Sequence, residues 1–237
     1  MLRVTLIAGL FASTTAFVAS SARIHAAPAA KSRQCIVASA KILPFALTGA
    51  GGALLSKAAS GGATPTTAVL ASAGLLSIFN LAVTDNQRFA AAKRAVKVYE
   101  GKSLPGLAVK QFAVAKKWYK LVALQIIGEL AGLIWMIRGN AFKGAATFMA
   151  ANVLFFVLGA GDAKHDMLGL PAPMKPKLQK FVLTTDLTLL VAALLAAYTP
   201  IGTILNTVGA LLLSAGLMIG AVEGVPKWLG ALTALRG

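Results

Sequence analysis

Five long apolar stretches, at 64–84, 121–137, 144–161, 181–199 and 201–222, constrain this chain more than any other feature. Each is about the length a helix needs to cross a hydrocarbon core of roughly 30 Å. Lipid offers no hydrogen bonds to an open backbone, so runs of this kind fold as helices packed on one another. The expected fold is all-α, a polytopic transmembrane bundle of about five spans with a basic interfacial helical segment. Composition agrees, because 57% of residues are hydrophobic and only 13% are charged. That is too apolar for an ordinary soluble domain.

A net charge of +16 would suggest nucleic acid in a soluble protein. Here the basic residues flank membrane spans, and no aromatic-plus-basic recognition module interrupts them. Nucleic acid is therefore not an expected partner, and anionic lipid headgroups are. A single cysteine, Cys35, rules out an internal disulfide and any multi-cysteine metal or cluster site. Of the two histidines, His25 lies in the N-terminal segment and His165 in a connector. That leaves no histidine pair for haem or metal in the mature chain, and no cofactor is expected.

Residues 1–16 read as a secretory signal: Arg3, an apolar core at 4–12, then Thr14, Thr15 and Ala16 before a cleavage point. Residues 17–41 are rich in Ala and Ser, carry Arg23, Lys31, Arg33 and Lys41, and contain no acid. The junction Thr14-Thr15-Ala16-Phe17-Val18-Ala19 resembles the bipartite presequence of nucleus-encoded plastid proteins in algae with secondary red-type plastids. That resemblance implies that Phe17 opens a transit peptide ending near residue 41. It also implies a plastid membrane, thylakoid or inner envelope, as the destination. The residues alone also fit a plain signal peptide and linker on an endomembrane protein of the secretory pathway. A mitochondrial presequence fits less well, because the 4–12 core is too apolar for an amphipathic targeting helix.

The remaining chain, 42–237, forms one membrane domain. Residues 42–55 are apolar but short and hold Pro44, Gly51 and Gly52, so they are expected to insert at most partly. Thr64-Pro65 is a start signal for the first full span, a capping residue before proline at the first helical position. The connector 85–120 carries nine basic residues, among them Arg88, against only Asp85 and Glu100, and the connector after the third span adds Lys164, Lys175, Lys177 and Lys180. By the positive-inside rule these connectors share the cytoplasm-equivalent face, the stroma in a plastid. Within 85–120, Phe89, Ala92, Val96 and Tyr99 recur at helical spacing. The reading is a helix lying in the interface, with Lys93, Arg94, Lys97, Lys116 and Lys117 among anionic headgroups.

Polar groups inside spans are the default place to look for function, because each charge there costs at least about 2.5–3.5 kcal/mol. Glu129 sits near the middle of its run, roughly 12 Å from the basic face, and Asp186 roughly 8 Å in. Asn80, Gln125 and Asn152 fall in the same half of the membrane. These five residues are expected to form either a pathway for a proton, cation or small solute, or hydrogen-bonded glue between helices. Gly128, Gly132 and the Gly216/Gly220 pair mark close helix packing, the last within the bundle or between copies. No phosphate-binding loop, nucleophile elbow or chlorophyll-antenna motif appears. Asp162, His165 and Asp166 read as a polar surface cap. The expected function is a non-enzymatic plastid membrane protein with a structural, assembly or anchoring role in a membrane complex or homo-oligomer. The alternative is a small carrier or channel that uses Glu129 and Asp186.

Overall fold

A computed structural model of the chain describes residues 31–100, 106–159 and 176–233. The presequence through residue 30 and the Asp162–His165–Asp166 cap lie outside the described residues. The described residues form seven α-helices: α1 (Lys31–Ser60), α2 (Pro65–Leu76), α3 (Ala82–Tyr99), α4 (Gly106–Ile137), α5 (Ala141–Gly159), α6 (Pro176–Tyr198) and α7 (Ile204–Thr233). A single π-helical turn, Ser77–Leu81, joins α2 to α3 without a break. Six helical stretches are long and apolar enough to cross a membrane: Ile42–Ser60, Pro65–Tyr99, Ala108–Ile137, Ala141–Gly159, Lys180–Tyr198 and Ile204–Thr233. The fold is the all-α membrane bundle expected, with one span more than the five apolar runs indicate. The additional candidate is the C-terminal part of α1, where helix continues through Pro44 and both glycines.

Helix ends follow local chemistry. Thr64 and Thr67 form a reciprocal capping box ahead of α2, with Pro65 in the first turn. α4 stops at Gly139, whose φ of +102° suits glycine. Its N–H bonds to Met136 O and that of Asn140 to Trp135 O, the double bond of a Schellman motif. Lys57 then donates to Ile137 O at 2.8 Å, putting a cation on the carbonyl end of α4.

The helices form a ring. α2 packs on α7, α7 on α6, α6 on α5, α5 on α4, and α1 closes the circuit by packing on α2, α3 and α4. Close approach depends on missing side chains. A Cβ on Gly51 would meet Gly74 O, and one on Gly132 would meet Gly144 O, each at 2.7 Å. Gly216 faces Leu189 and Gly220 faces Leu76, so both serve the internal bundle. Polar groups stitch the same interfaces. Ser72 and Ser214 hydroxyls lie 2.9 Å apart, Ser77 donates to Leu47 O at 2.6 Å, and Asn80 donates to Gly220 O at 2.8 Å.

Asn206 illustrates why such groups stay buried in an apolar core. Its Nδ2 donates to Ala196 O at 2.6 Å, satisfying one of the last carbonyls of α6, which have no partner within their own helix. Asn206→Leu orphans that carbonyl and is expected to cost about 1–3 kcal/mol. A lowered unfolding midpoint in mild detergent titrated with SDS measures it, and an unchanged midpoint refutes it.

The basic connector differs from the sequence reading. It is not a separate helix. Its first part is α3, the continuation of the preceding span, and its second part is the start of α4, the beginning of the next. The two pair as a helical hairpin: Phe89 stacks on Tyr119 at 5.4 Å, Tyr99 on Phe112 at 6.1 Å, and Ala92, Ala95 and Ala115 are buried. The aromatic stripe expected to face acyl chains packs on the partner helix instead. Arg94, Lys97, Lys116 and Lys117 are exposed on the outer faces, with Lys93 half-buried.

Candidate functional site: a polar layer between two apolar cores

Two apolar clusters fill the bundle. The larger joins α1, α2, α4, α5, α6 and α7 around Leu47, Val69, Leu133, Phe148 and Leu213. The smaller, toward the basic hairpin, joins Ala92, Val122, Ile126 and Phe155. A polar layer separates them. On α3 it lies between Ala82 and Ala92, on α4 between Val122 and Leu133, and on α5 between Met149 and Phe155. The residues there are Asp85, Arg88, Gln125, Glu129 and Asn152.

Helical spacing sets their positions. Asp85 and Arg88 are one turn apart on α3, as are Gln125 and Glu129 on α4. Gln125 is the hub. Its Nε2 donates to Glu129 Oε1 and to Asn152 Oδ1, both at 2.9 Å, while its Oε1 accepts from Arg88 Nη1 at 3.1 Å. Arginine only donates, so the amide oxygen faces Arg88 and the amide nitrogen faces Glu129 and Asn152. Asn152 in turn donates to Phe148 O at 3.1 Å. Arg88 also reaches Asp85 Oδ1 at 3.5 Å and lies 5.2 Å over the Phe155 ring.

The carboxyls hold the chemistry. Glu129 is 0% and Asp85 2% exposed, and the two are close enough for their charges to interact. Among the described residues each keeps one buried oxygen without a hydrogen-bond donor, Asp85 Oδ2 and Glu129 Oε2. Two ionised carboxylates at close range repel strongly in a low-dielectric interior. A proton or small cation between them turns two acceptors into a bonded pair. With Arg88 beside them, a singly charged pair is neutral as a unit. Arg88, with 27% of its side chain exposed, is the member that reaches outward, and Lys227 of α7 is the next cation acting on Asp85.

Of the five polar residues expected to gather, the structure brings together Gln125, Glu129 and Asn152. Asn80 is spent on α7 and on Thr84, whose hydroxyl donates to Asn80 Oδ1 at 2.7 Å. Asp186 is half-buried on α6 with no hydrogen bond to this layer, and Thr184, Thr185 and Thr188 bond only to their own helix. Asp85 and Arg88, assigned from sequence to the connector, are the members that the sequence reading missed. Gly128 and Gly132 do flank the site: a Cβ on Gly128 would meet Ala151 Cβ at 2.6 Å.

Fold and site together define a polytopic α-helical membrane protein with a buried carboxyl pair beside a glutamine hub. Comparison with known family models, with curated proteins and with solved structures returns no match to this chain.

Proposed function

We propose that this chain is a multi-pass plastid membrane protein that binds an exchangeable proton or small monovalent cation between Asp85 and Glu129. It acts as a small carrier reached from the basic, stromal face past Arg88. The observation carrying this reading is the pair of orphaned, buried carboxyl oxygens. Helix glue satisfies its groups, as Asn80, Ser77 and Asn206 do here, and burial of an unpaired charge is expensive. The presequence supports the plastid membrane. A fluorescent fusion downstream of residue 60 tests it, and an endoplasmic reticulum pattern refutes it.

Flux in liposomes tests the site. Purified protein should move protons or a monovalent cation down an imposed gradient. Glu129→Gln and Asp85→Asn should each cut the rate by about tenfold or more, comparable with the loss of a positioned proton-transfer group. Asp186→Asn should leave the rate unchanged. Loss of flux in the Asp186 variant, with the two pair variants active, sinks this assignment.

The hairpin of α3 and α4 favours a second reading, an anchoring or assembly component of a membrane complex. A paired, basic extension suits docking to an acidic partner or to anionic headgroups. Absence of flux in the wild type together with co-purification of a complex selects this reading over the carrier.

A further inference from the structure

Two occupants suit a buried carboxyl pair, a proton and a small metal cation, and they ask for different surroundings. A metal cation sheds its water on entering a protein and needs that shell replaced by oxygens, about six for a hard ion. A proton needs only two oxygens, the one that carries it and the one that accepts from it. Around Asp85 and Glu129 the neutral side-chain oxygens are already engaged. Gln125 turns its Oε1 to Arg88 at 3.1 Å and aims its Nε2, a donor, at Glu129 Oε1. Asn152 Oδ1 accepts from the same Nε2 at 2.9 Å, and Asn152 Nδ2 is taken by Phe148 O.

We infer that this site takes a proton and rejects sodium and potassium ions, an inference that rests on reading the pair as an exchangeable site. Three observations carry it. First, Asp85 Oδ2 and Glu129 Oε2 are the carboxyl oxygens of the layer without a donor, the number a proton needs and far short of a metal shell. Asn86 Oδ1 is a further buried oxygen without one, but it follows Asp85 by a single residue, about 100° round α3, and even with it the count is half a shell. Second, Glu129 and Asp85 are sealed from solvent between two apolar clusters, so bulk water does not complete a coordination sphere. Third, two ionised carboxylates beside Arg88 leave one negative charge, which one proton cancels, whereas a divalent ion leaves a buried positive charge. Lys227, the next cation acting on Asp85, adds to the bias against a second positive ion. In the occupied state the proton is bonded to one carboxyl and hydrogen-bonded to the other. On release it passes to water past Arg88, and nothing is oxidised or reduced.

Infrared spectroscopy of the purified full-length protein in detergent tests occupancy without relying on flux. A protonated carboxyl has a carbonyl band that an ionised carboxylate lacks and that shifts in heavy water. At neutral pH the wild type should show such a band, and the double variant Asp85→Asn/Glu129→Gln should lose it. Sodium or potassium chloride should leave the wild-type band as intense as choline chloride does at the same ionic strength. A metal ion taking the site would expel the proton. A band that falls in sodium or potassium but not in choline therefore overturns the inference, and leaves a cation carrier standing. A band of equal intensity in wild type and double variant overturns it too. Should the double variant fail to fold, the salt titration of the wild type decides alone. In liposomes, with a lipophilic ion balancing charge, proton flux should be unchanged when choline replaces all sodium and potassium, and flux that stops in choline counts against the inference. A salt-insensitive band in a protein without flux upholds the proton site and defeats the carrier reading instead.

Discussion

Arg88→Met is expected to destabilise the bundle by about 2–4 kcal/mol. Breaking a buried ion pair by removing one partner typically costs about 3–5 kcal/mol, and the partial exposure of Arg88 lowers that range. The loss is distributed over three contacts. Asp85 loses its cation, Gln125 Oε1 loses its donor, and the Phe155 face loses a guanidinium. Methionine keeps much of the volume, so a cavity does not account for the result. A double-mutant cycle separates charge from packing. In the Arg88→Met background, Asp85→Asn removes one of two facing carboxyls and should restore part of the loss. Equal, additive costs in the cycle would show that the two residues do not act on each other.

The second large effect is at the α4–α5 crossing. A Cβ on Gly144 would sit 2.7 Å from Met136 N as well as against Gly132 O, so the obstacle is backbone and cannot swing aside. Gly144→Val should therefore push the helices apart and cost about 3 kcal/mol, the upper end of overpacking. Gly144→Ala should cost less but in the same direction. The polar layer lies on the same two helices, so separation also pulls Asn152 away from Gln125. Thermal unfolding in detergent measures the first consequence. Flux measured on the folded fraction of Gly144→Ala measures the second. A Gly144→Val protein as stable as wild type would contradict the packing described here.

Much of the fold is legible in the sequence because the bilayer accepts so few solutions. Apolar length alone gives five candidate spans, and Thr64-Pro65 gives the start of α2 to the residue. The first span was hidden by Pro44 and the glycine pair, which read as breakers in water. In this bundle Gly51 is instead the contact that lets α1 reach Gly74. Glu129, Gln125 and Asn152 were recoverable because each interrupts an apolar run. Asp85 and Arg88 were not, since the apolar run ends at residue 84 and charge seemed to mark its boundary. A signal was nonetheless present: the stripe Phe89, Ala92, Val96, Tyr99 extrapolates back one turn to Asp85, with Arg88 beside it. An i, i+3 pair of opposite charge is close to neutral, so it can lie deeper than hydropathy suggests. Asp186 failed for the opposite reason. Rise per residue gives a depth along a span, but depth says nothing about which neighbour a side chain faces across a ring of six.

The three connections away from the basic face are only 61–64, 138–140 and 199–203. With the six candidate spans of the described residues, the entry to α1 and the end of α7 fall on the same side as the α3–α4 hairpin. Among the described residues, the opposite surface thus carries only three short turns. A water-soluble partner, protease or antibody has nearly all of its foothold on the other. Limited digestion of sealed vesicles should accordingly be all or nothing, set by which way the protein is oriented.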